Sequence, residues 1–244
     1  TVFTSALSSA TASGKKTGSV GAYFDGTGDY LTVLPRTDLV FGANSFSISC
    51  WVYLGAVGAA QTIISKANDG VTSFDFTFQI TSSNFLRGDV RLGSTNFYSV
   101  ASNLALSANT WYFIEMSVNR TSNTVDLFVG GVETTYSTQD SLSGSIGNNA
   151  SLIKIGAHTV SSSAANLLTG YIDQLRISSG VIRNATNYTP PTTLYNGVSS
   201  DATVPTITFT GTATPALAAD EDIEYTSVDN TTKADGSRSL TDTD

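Results

Sequence analysis

Apolar and polar residues alternate with a period of two through much of this chain, most clearly in FSISCWVYL at 46–54 and WYFIEMSVNR at 111–120. That period is the mark of half-buried antiparallel strands, because successive side chains of a strand point to opposite faces. Further strand-like runs are GAYFDG, YLTVLP, QTIISKA, FDFTFQI, GDVRLG, FYSVA, TVDLFVGG, VETTYS, SLIKIGA and GYIDQLRIS, each bounded by Gly, Asn, Asp or Ser. VGGV at 129–132 is a tight hairpin signal, and NRTSNT at 119–124 is an Asn and Ser/Thr turn. No window of helical length repeats its apolar residues with a helical period, apart from a short turn in AANLLTG at 164–170. The expectation is an all-β sandwich of two antiparallel sheets packed face to face.

The ends read differently from the middle. Residues 1–17 are small and polar, an N-terminal arm; 18–198 form the β domain, closed by Pro190 and Pro191; 199–244 form a C-terminal extension. The extension has one convincing strand, TITFT, and a second candidate, DIEYTSV. It is too short for an independent core, so it should pack on a neighbour or stay flexible. Charge separates the same regions. Residues 1–199 hold ten basic and eleven acidic groups, a net of −1, whereas the remainder holds two basic and nine acidic groups, a net of −7. Without a basic cluster, nucleic acid is not an expected partner. No apolar run reaches the roughly 18 residues of a membrane span. The lone Cys50 cannot form an intramolecular disulfide and reads as a small core residue. The chain begins at Thr1 with no signal peptide, as a processed protein or a segment of a longer one would. Only 13% of residues are charged, and the surface must be built from hydroxyls and amides, an association with secreted, cell-surface and virion β proteins.

GAYFDGTGDYLTV, NSFSISCWVYL, TIISKANDG, NTWYFIEMSVNRTSNTVDLFVGGV, SLIKIGAH and GYIDQLRISSGVIRN follow one another as in concanavalin A-like, laminin-G-like jelly rolls, and the resemblance covers about residues 18–196. The ending LTGYIDQLRISSGVIRNATNYTPP is similar to the form these domains take in bacteriophage virion proteins, tail fibres and capsid appendages among them. The resemblance implies a concanavalin A-like jelly-roll sandwich. It leaves function open, because this sandwich hosts lectins, glycanases, adhesion modules and structural parts.

Glycanases of this fold carry carboxylates at alternate positions of one strand. Neither Glu115 nor Glu133 has an acidic residue two positions away, and the one such pattern, Asp220, Asp222 and Glu224, lies in the extension. His158 is the only histidine, and no G-x-S-x-G turn is present. No enzyme is expected. The resemblance also implies calcium, in one of two places. Asp173 on the last strand would hold one structural Ca²⁺ with oxygens near Asp25 and Gly26; otherwise Asp173 accepts backbone N–H groups or pairs with Arg176. Asn68 and Asp69 sit where pentraxins hold a rim calcium, although the loop that would complete that site, AHTVSSSAAN, has no carboxylate. Trp51 reads as core, whereas Trp111, Tyr98, Tyr136 and His158 are candidates for sugar contact. Two motifs are treated as chance: RGD at 87–89, and the N-x-Ser/Thr sequons at Asn119, Asn149, Asn184, Asn187 and Asn230.

The leading expectation is a non-enzymatic recognition or adhesion module on a phage virion or bacterial surface, extracellular, with a host cell-surface glycan as partner. The alternative is a structural virion protein, a capsid decoration or appendage, that contacts other virion subunits or its own copies and binds no glycan. A glycanase is the minor alternative.

Overall fold

The computed structural model describes residues 2–3, 21–35, 37–67, 74–92, 96–139, 142, 144, 146–147, 151–160 and 163–192, together with three short strands nearer the C-terminus. The strands, in chain order, are β1 (Val2–Phe3), β2 (Ala22–Asp25), β3 (Tyr30–Val33), β4 (Phe46–Leu54), β5 (Gln61–Ala67), β6 (Phe74–Ile80), β7 (Phe85–Leu92) and β8 (Asn96–Ala105). They continue as β9 (Thr110–Asn119), β10 (Thr124–Val129), β11 (Val132–Glu133), β12 (Tyr136–Gln139), β13 (Ile153–Ile155), β14 (His158–Val160), β15 (Ser163–Ala165) and β16 (Thr169–Ser179). The three C-terminal strands are β17 (Ile207–Thr210), β18 (Ile223–Thr226) and β19 (Ser237–Leu240). The only helix among the described residues is a 3₁₀ turn at Thr37–Leu39.

Two antiparallel sheets carry the architecture. Sheet A runs β1-β16-β4-β9-β10-β11, with β2 also paired to β16; sheet B runs β12-β8-β7-β6-β5-β13-β3-β17. The fold is the expected jelly-roll sandwich. In β4 the alternation sends Ile48, Cys50, Val52 and Leu54 into the core, all fully buried. Opposite them in sheet B stand Phe76, Phe78, Ile80 and Val90. Burial drives the Cys50 thiol well above its ordinary range, with the Asp173 carboxylate adding to the effect, so it remains an inert thiol.

The turns follow from their residues. Gly130 and Gly131 both take positive φ (62° and 77°), as a two-residue hairpin between Val129 and Val132 demands. Between β9 and β10, Asn119 Oδ1 accepts the amides of Thr121 and Ser122, and Asn123 adopts φ 59°.

Several expectations need correction. VETTYS is two strands, since the chain leaves sheet A after Glu133 and enters sheet B at Tyr136. AANLLTG holds no helical turn: Ala164 and Ala165 belong to β15, and Leu168 is a core residue. Trp51 is only half-buried, because its neighbours Cys50 and Val52 occupy the core side and turn the indole to the outer face of sheet A. TITFT and DIEYTSV do hold strands, and β17 pairs with β3, placing part of the extension in sheet B.

RGD lies within β7. Asp89 is buried and Arg87 Nε sits 2.8 Å from its Oδ1, so the two charges serve each other. Gly88 faces the core, where a Cβ would come within 2.5 Å of Met116 Sδ. Gly88→Val should therefore lower stability by about 1–3 kcal/mol through overpacking, as a denaturant titration would measure.

Candidate functional site

Sheet register assembles a row of aromatic rings that sequence spacing hides. Tyr23 pairs with Tyr171, Tyr171 with Tyr53, and Tyr53 with Trp111, so β2, β16, β4 and β9 each place one ring on the outer face of sheet A. Adjacent ring centroids lie 4.9 Å (Tyr23–Tyr171), 5.8 Å (Tyr171–Tyr53) and 5.6 Å (Tyr53–Trp111) apart. Tyr23 is 38% exposed, and the other three are half-buried.

Polar groups flank the row. At one end the Tyr53 hydroxyl donates to Asn109 Oδ1 at 3.3 Å. At the other end stand Asp25 and Asp29. The amide of Thr27 donates to Asp25 Oδ1, and that of Asp25 to Asp29 Oδ2. Burial, then the charge of Asp25, holds the Asp29 carboxyl above its ordinary range; burial is also the main cause of the raised Tyr23 phenol. Rings that offer a flat apolar surface, bordered by carboxylates and an amide, are the groups a sugar's C–H face and hydroxyls require.

Among the described residues, the chain after β16 closes over a neighbouring part of that face rather than over the row. Residues 180–192 form a strap. Asn184 Nδ2 and the Tyr188 hydroxyl each donate to Glu115 Oε2 at 2.7 Å, and Ser117 Oγ donates to Glu115 Oε1 at 2.9 Å. Asn187 Oδ1 accepts the amide of Glu133, Gly131 O that of Tyr188, and Pro191 O the Trp51 indole N–H. Tyr188 packs on Phe113 and Phe128. The sequon residues Asn184 and Asn187 thus serve as ties, a role their spacing in the sequence could not announce.

The outer face of sheet B is polar. A single ladder row runs Thr32, Lys154, Ser65, Thr77, Asp89 and Ser99 across six strands, and all six are buried. Asp89 accepts from Thr77 Oγ1, Gln79 Nε2, Arg87 Nε and Ser99 Oγ. The β14–β15 hairpin begins beside this row, where Ser65 Oγ donates to Ala157 O.

Of the residues expected for sugar contact, only Trp111 joins the aromatic row. Tyr98 lies inside β8 opposite Val90 and packs on the core, so its ring offers no outer platform. His158 is half-buried on β14, on the other side of the sandwich. Burial holds its imidazole below the ordinary range, Asp89 opposing and Lys154 reinforcing the effect. With a lowered folded pKa, the unfolded chain takes the proton first. Stability at neutral pH should therefore fall as pH drops through the imidazole range, and the resonances of this single histidine should titrate below those of a free peptide.

The calcium expectations fare differently. Asp25 pairs with Thr169 whereas Asp173 lies beyond the Ile172–Ala22 pair, four residues further along β16 and ~13 Å away at strand rise. Asp173 is buried opposite Trp51, just before a bulge at which Gln174 takes φ 51°. Gly26, at φ 83°, is pressed against Thr169, where a Cβ would lie 2.2 Å from Oγ1. Asp173, Asp25 and Gly26 therefore do not fit one calcium ion. Among the described residues no three His, Cys, Asp or Glu side chains come together as a metal site. Asn68 and Asp69 lie outside the described residues.

Glu115 and Glu133 do not form a hydrolytic pair. Glu115 and Glu133 flank Phe128 on neighbouring strands of one face. Glu115, however, is 1% exposed and fully engaged by the strap, so no glycosidic oxygen could reach it.

Comparison with known proteins agrees with this architecture. Among solved structures, the CBM40 module of Ruminococcus gnavus IT-sialidase, bound to α2,3-sialyllactose, superposes with a TM-score of 0.52 at 15% identity, covering 67% of this chain and 91% of that one. Domains LG4-5 of the mouse laminin α1 chain give 0.49 at 16% identity, covering 65% and 40%. A heptameric SAP-like pentraxin from Limulus polyphemus gives 0.49 at 11% identity, covering 77% and 92%. No curated protein matches the sequence. A laminin G-type family model matches residues 25–186, and the chain belongs to the family it describes, the concanavalin A-like lectin/glucanases superfamily.

Proposed function

We propose that this chain is a non-catalytic glycan-recognition module whose platform is the row Tyr23, Tyr171, Tyr53 and Trp111. The observation that carries the reading is the register, which gathers four rings from four strands at the end of sheet A that the strap leaves open. Such rings stack on the C–H face of a sugar while Asp25, Asp29 and Asn109 accept its hydroxyl protons. The likeness in fold to a module crystallised with sialyllactose supports a saccharide ligand. One open platform of this kind binds weakly, so useful affinity calls for many copies on one particle. The hydroxyl- and amide-rich composition supports display on a phage virion or bacterial surface, beside other virion subunits. The test is binding of the multimerised protein to a panel of bacterial surface polysaccharides, in calcium and in EDTA. Saturable binding to a subset is expected in both buffers. Loss in EDTA would restore a metal to the site, and no binding in either buffer would refute the module.

A second reading, a structural virion part, is favoured by the terminal strands. β1 and β17 complete the edges of sheets A and B at β16 and β3, and edge pairing of terminal segments is also a way for subunits to join. Failure to bind any panel member would favour it.

A further inference from the structure

We propose a second ligand site on the opposite side of the sandwich, where Lys154, Tyr30 and His158 hold the anionic group of an acidic surface sugar. It is independent of the aromatic row and would survive that reading's failure.

Lys154 is the middle residue of β13. Its neighbours Ile153 and Ile155 are core residues, so the lysine points to the outer face of sheet B. It is nevertheless only 8% exposed, and among the described residues no carboxylate bridges its ammonium, which lies 4.7 Å from the Tyr30 ring centroid. Two other cations of this sheet are served differently: Lys66 bridges Asp75, and Arg87 bridges Asp89. Asp89 cannot serve Lys154 as well, because Thr77, Gln79, Arg87 and Ser99 already occupy both its oxygens. A cation partly withdrawn from water without a counter-charge is costly, and burial accordingly holds the Lys154 amine below its ordinary range.

The second observation is independent. His158 follows Ala157, whose carbonyl accepts from Ser65, the ladder neighbour of Lys154, and among the described residues its buried Nδ1 has no hydrogen-bond partner. A buried ring nitrogen without a partner is as unusual as a buried lysine without a carboxylate. Here the two occur together. An anion admitted beside Lys154 would receive a charge-assisted bond from Nζ and, with the imidazole turned to bring its buried N–H outward, a second bond from His158, while the half-buried Tyr30 ring offers a face for the attached sugar. The cation–π contact with Tyr30 orients the ammonium without neutralising it.

A carboxylate, as in a sialic or uronic acid, and a phosphate, as in a phosphate-linked polymer, share this chemistry. The single histidine of the chain provides an unambiguous reporter. Its imidazole resonances would be followed at neutral pH while 3′-sialyllactose, inorganic phosphate or lactose is added to the full chain. A saturable shift with at least one anion, and none with lactose, is expected. Response to sialyllactose alone identifies a carboxylate site, and response to phosphate alone a phosphate site. Lys154→Gln should weaken the response at least about tenfold, with a melting temperature unchanged or raised, whereas Trp111→Ala should leave it intact. No shift with either anion in the wild-type chain overturns the proposal. So does a Lys154→Gln variant that responds as the wild type does.

Discussion

Replacing Asp75 with alanine is expected to cost the domain about 3–5 kcal/mol, much of the roughly 5–15 kcal/mol that holds such a fold together. Lys66 Nζ lies 2.9 Å from Asp75 Oδ2, and each side chain is only 3% exposed. Among the described residues the one other acceptor for the ammonium is Leu39 O at 3.2 Å, in the 3₁₀ turn Thr37–Leu39. Without Asp75 a full positive charge stays buried against a single carbonyl, and neither water nor a rotamer change can reach it cheaply. Removing both charges should be far milder: Lys66→Met with Asp75→Leu leaves apolar side chains beside Phe76, and its cost should lie near zero. Chemical denaturation of Lys66→Met, Asp75→Leu and the double variant supplies the cycle. An Asp75→Ala loss below about 1 kcal/mol would mean that the pair is solvated after all.

The second large effect concerns binding. Trp111→Ala and Tyr171→Ala should each weaken saccharide binding by at least about tenfold, as removal of a central aromatic anchor commonly does. Tyr171 touches three of the row's rings, with centroids 4.9 Å from Tyr23, 5.8 Å from Tyr53 and 6.3 Å from Trp111. Its loss should therefore disturb the whole platform, whereas Trp111 stands at one end and its loss should shorten it. The check is a calorimetric titration of each variant against wild type, with melting temperatures to show that both sheets persist. Equal affinity in folded variants would move the ligand elsewhere on the domain.

The strands were legible because period-two alternation is local: Ile48, Cys50, Val52 and Leu54 announce their face within nine residues. The hairpin at Gly130 and Gly131 was legible for the same reason. The short β14–β15 hairpin was not, since HTV and SAA have neither length nor apolar alternation. The candidate site escaped for a deeper reason. Tyr23, Tyr53, Trp111 and Tyr171 come from four separated strands, and only register makes them neighbours. Trp111 alone carried a readable hint, at the start of its strand. Tyr98 carried the same hint and faces the core. Glu115 looks like any strand glutamate until Asn184 and Tyr188, about seventy residues later in the chain, close over it. Asp173 was placed correctly on the last long strand of the body. Its supposed partner Asp25 was not reachable, because β2 and β16 run antiparallel and leave the two at opposite ends of their pairing.

The most direct test of the account uses the chain's two tryptophans. Trp51 donates its indole N–H to Pro191 O beneath the strap, whereas Trp111 stands in the open row. Their two indole N–H resonances would be recorded while oligosaccharide fragments of the surface-polysaccharide panel are titrated in. The account predicts that a binding fragment shifts the Trp111 indole saturably and leaves the Trp51 indole in place. A fragment that binds without moving Trp111, or a panel in which none moves it, would contradict the assignment of the aromatic row as the glycan platform.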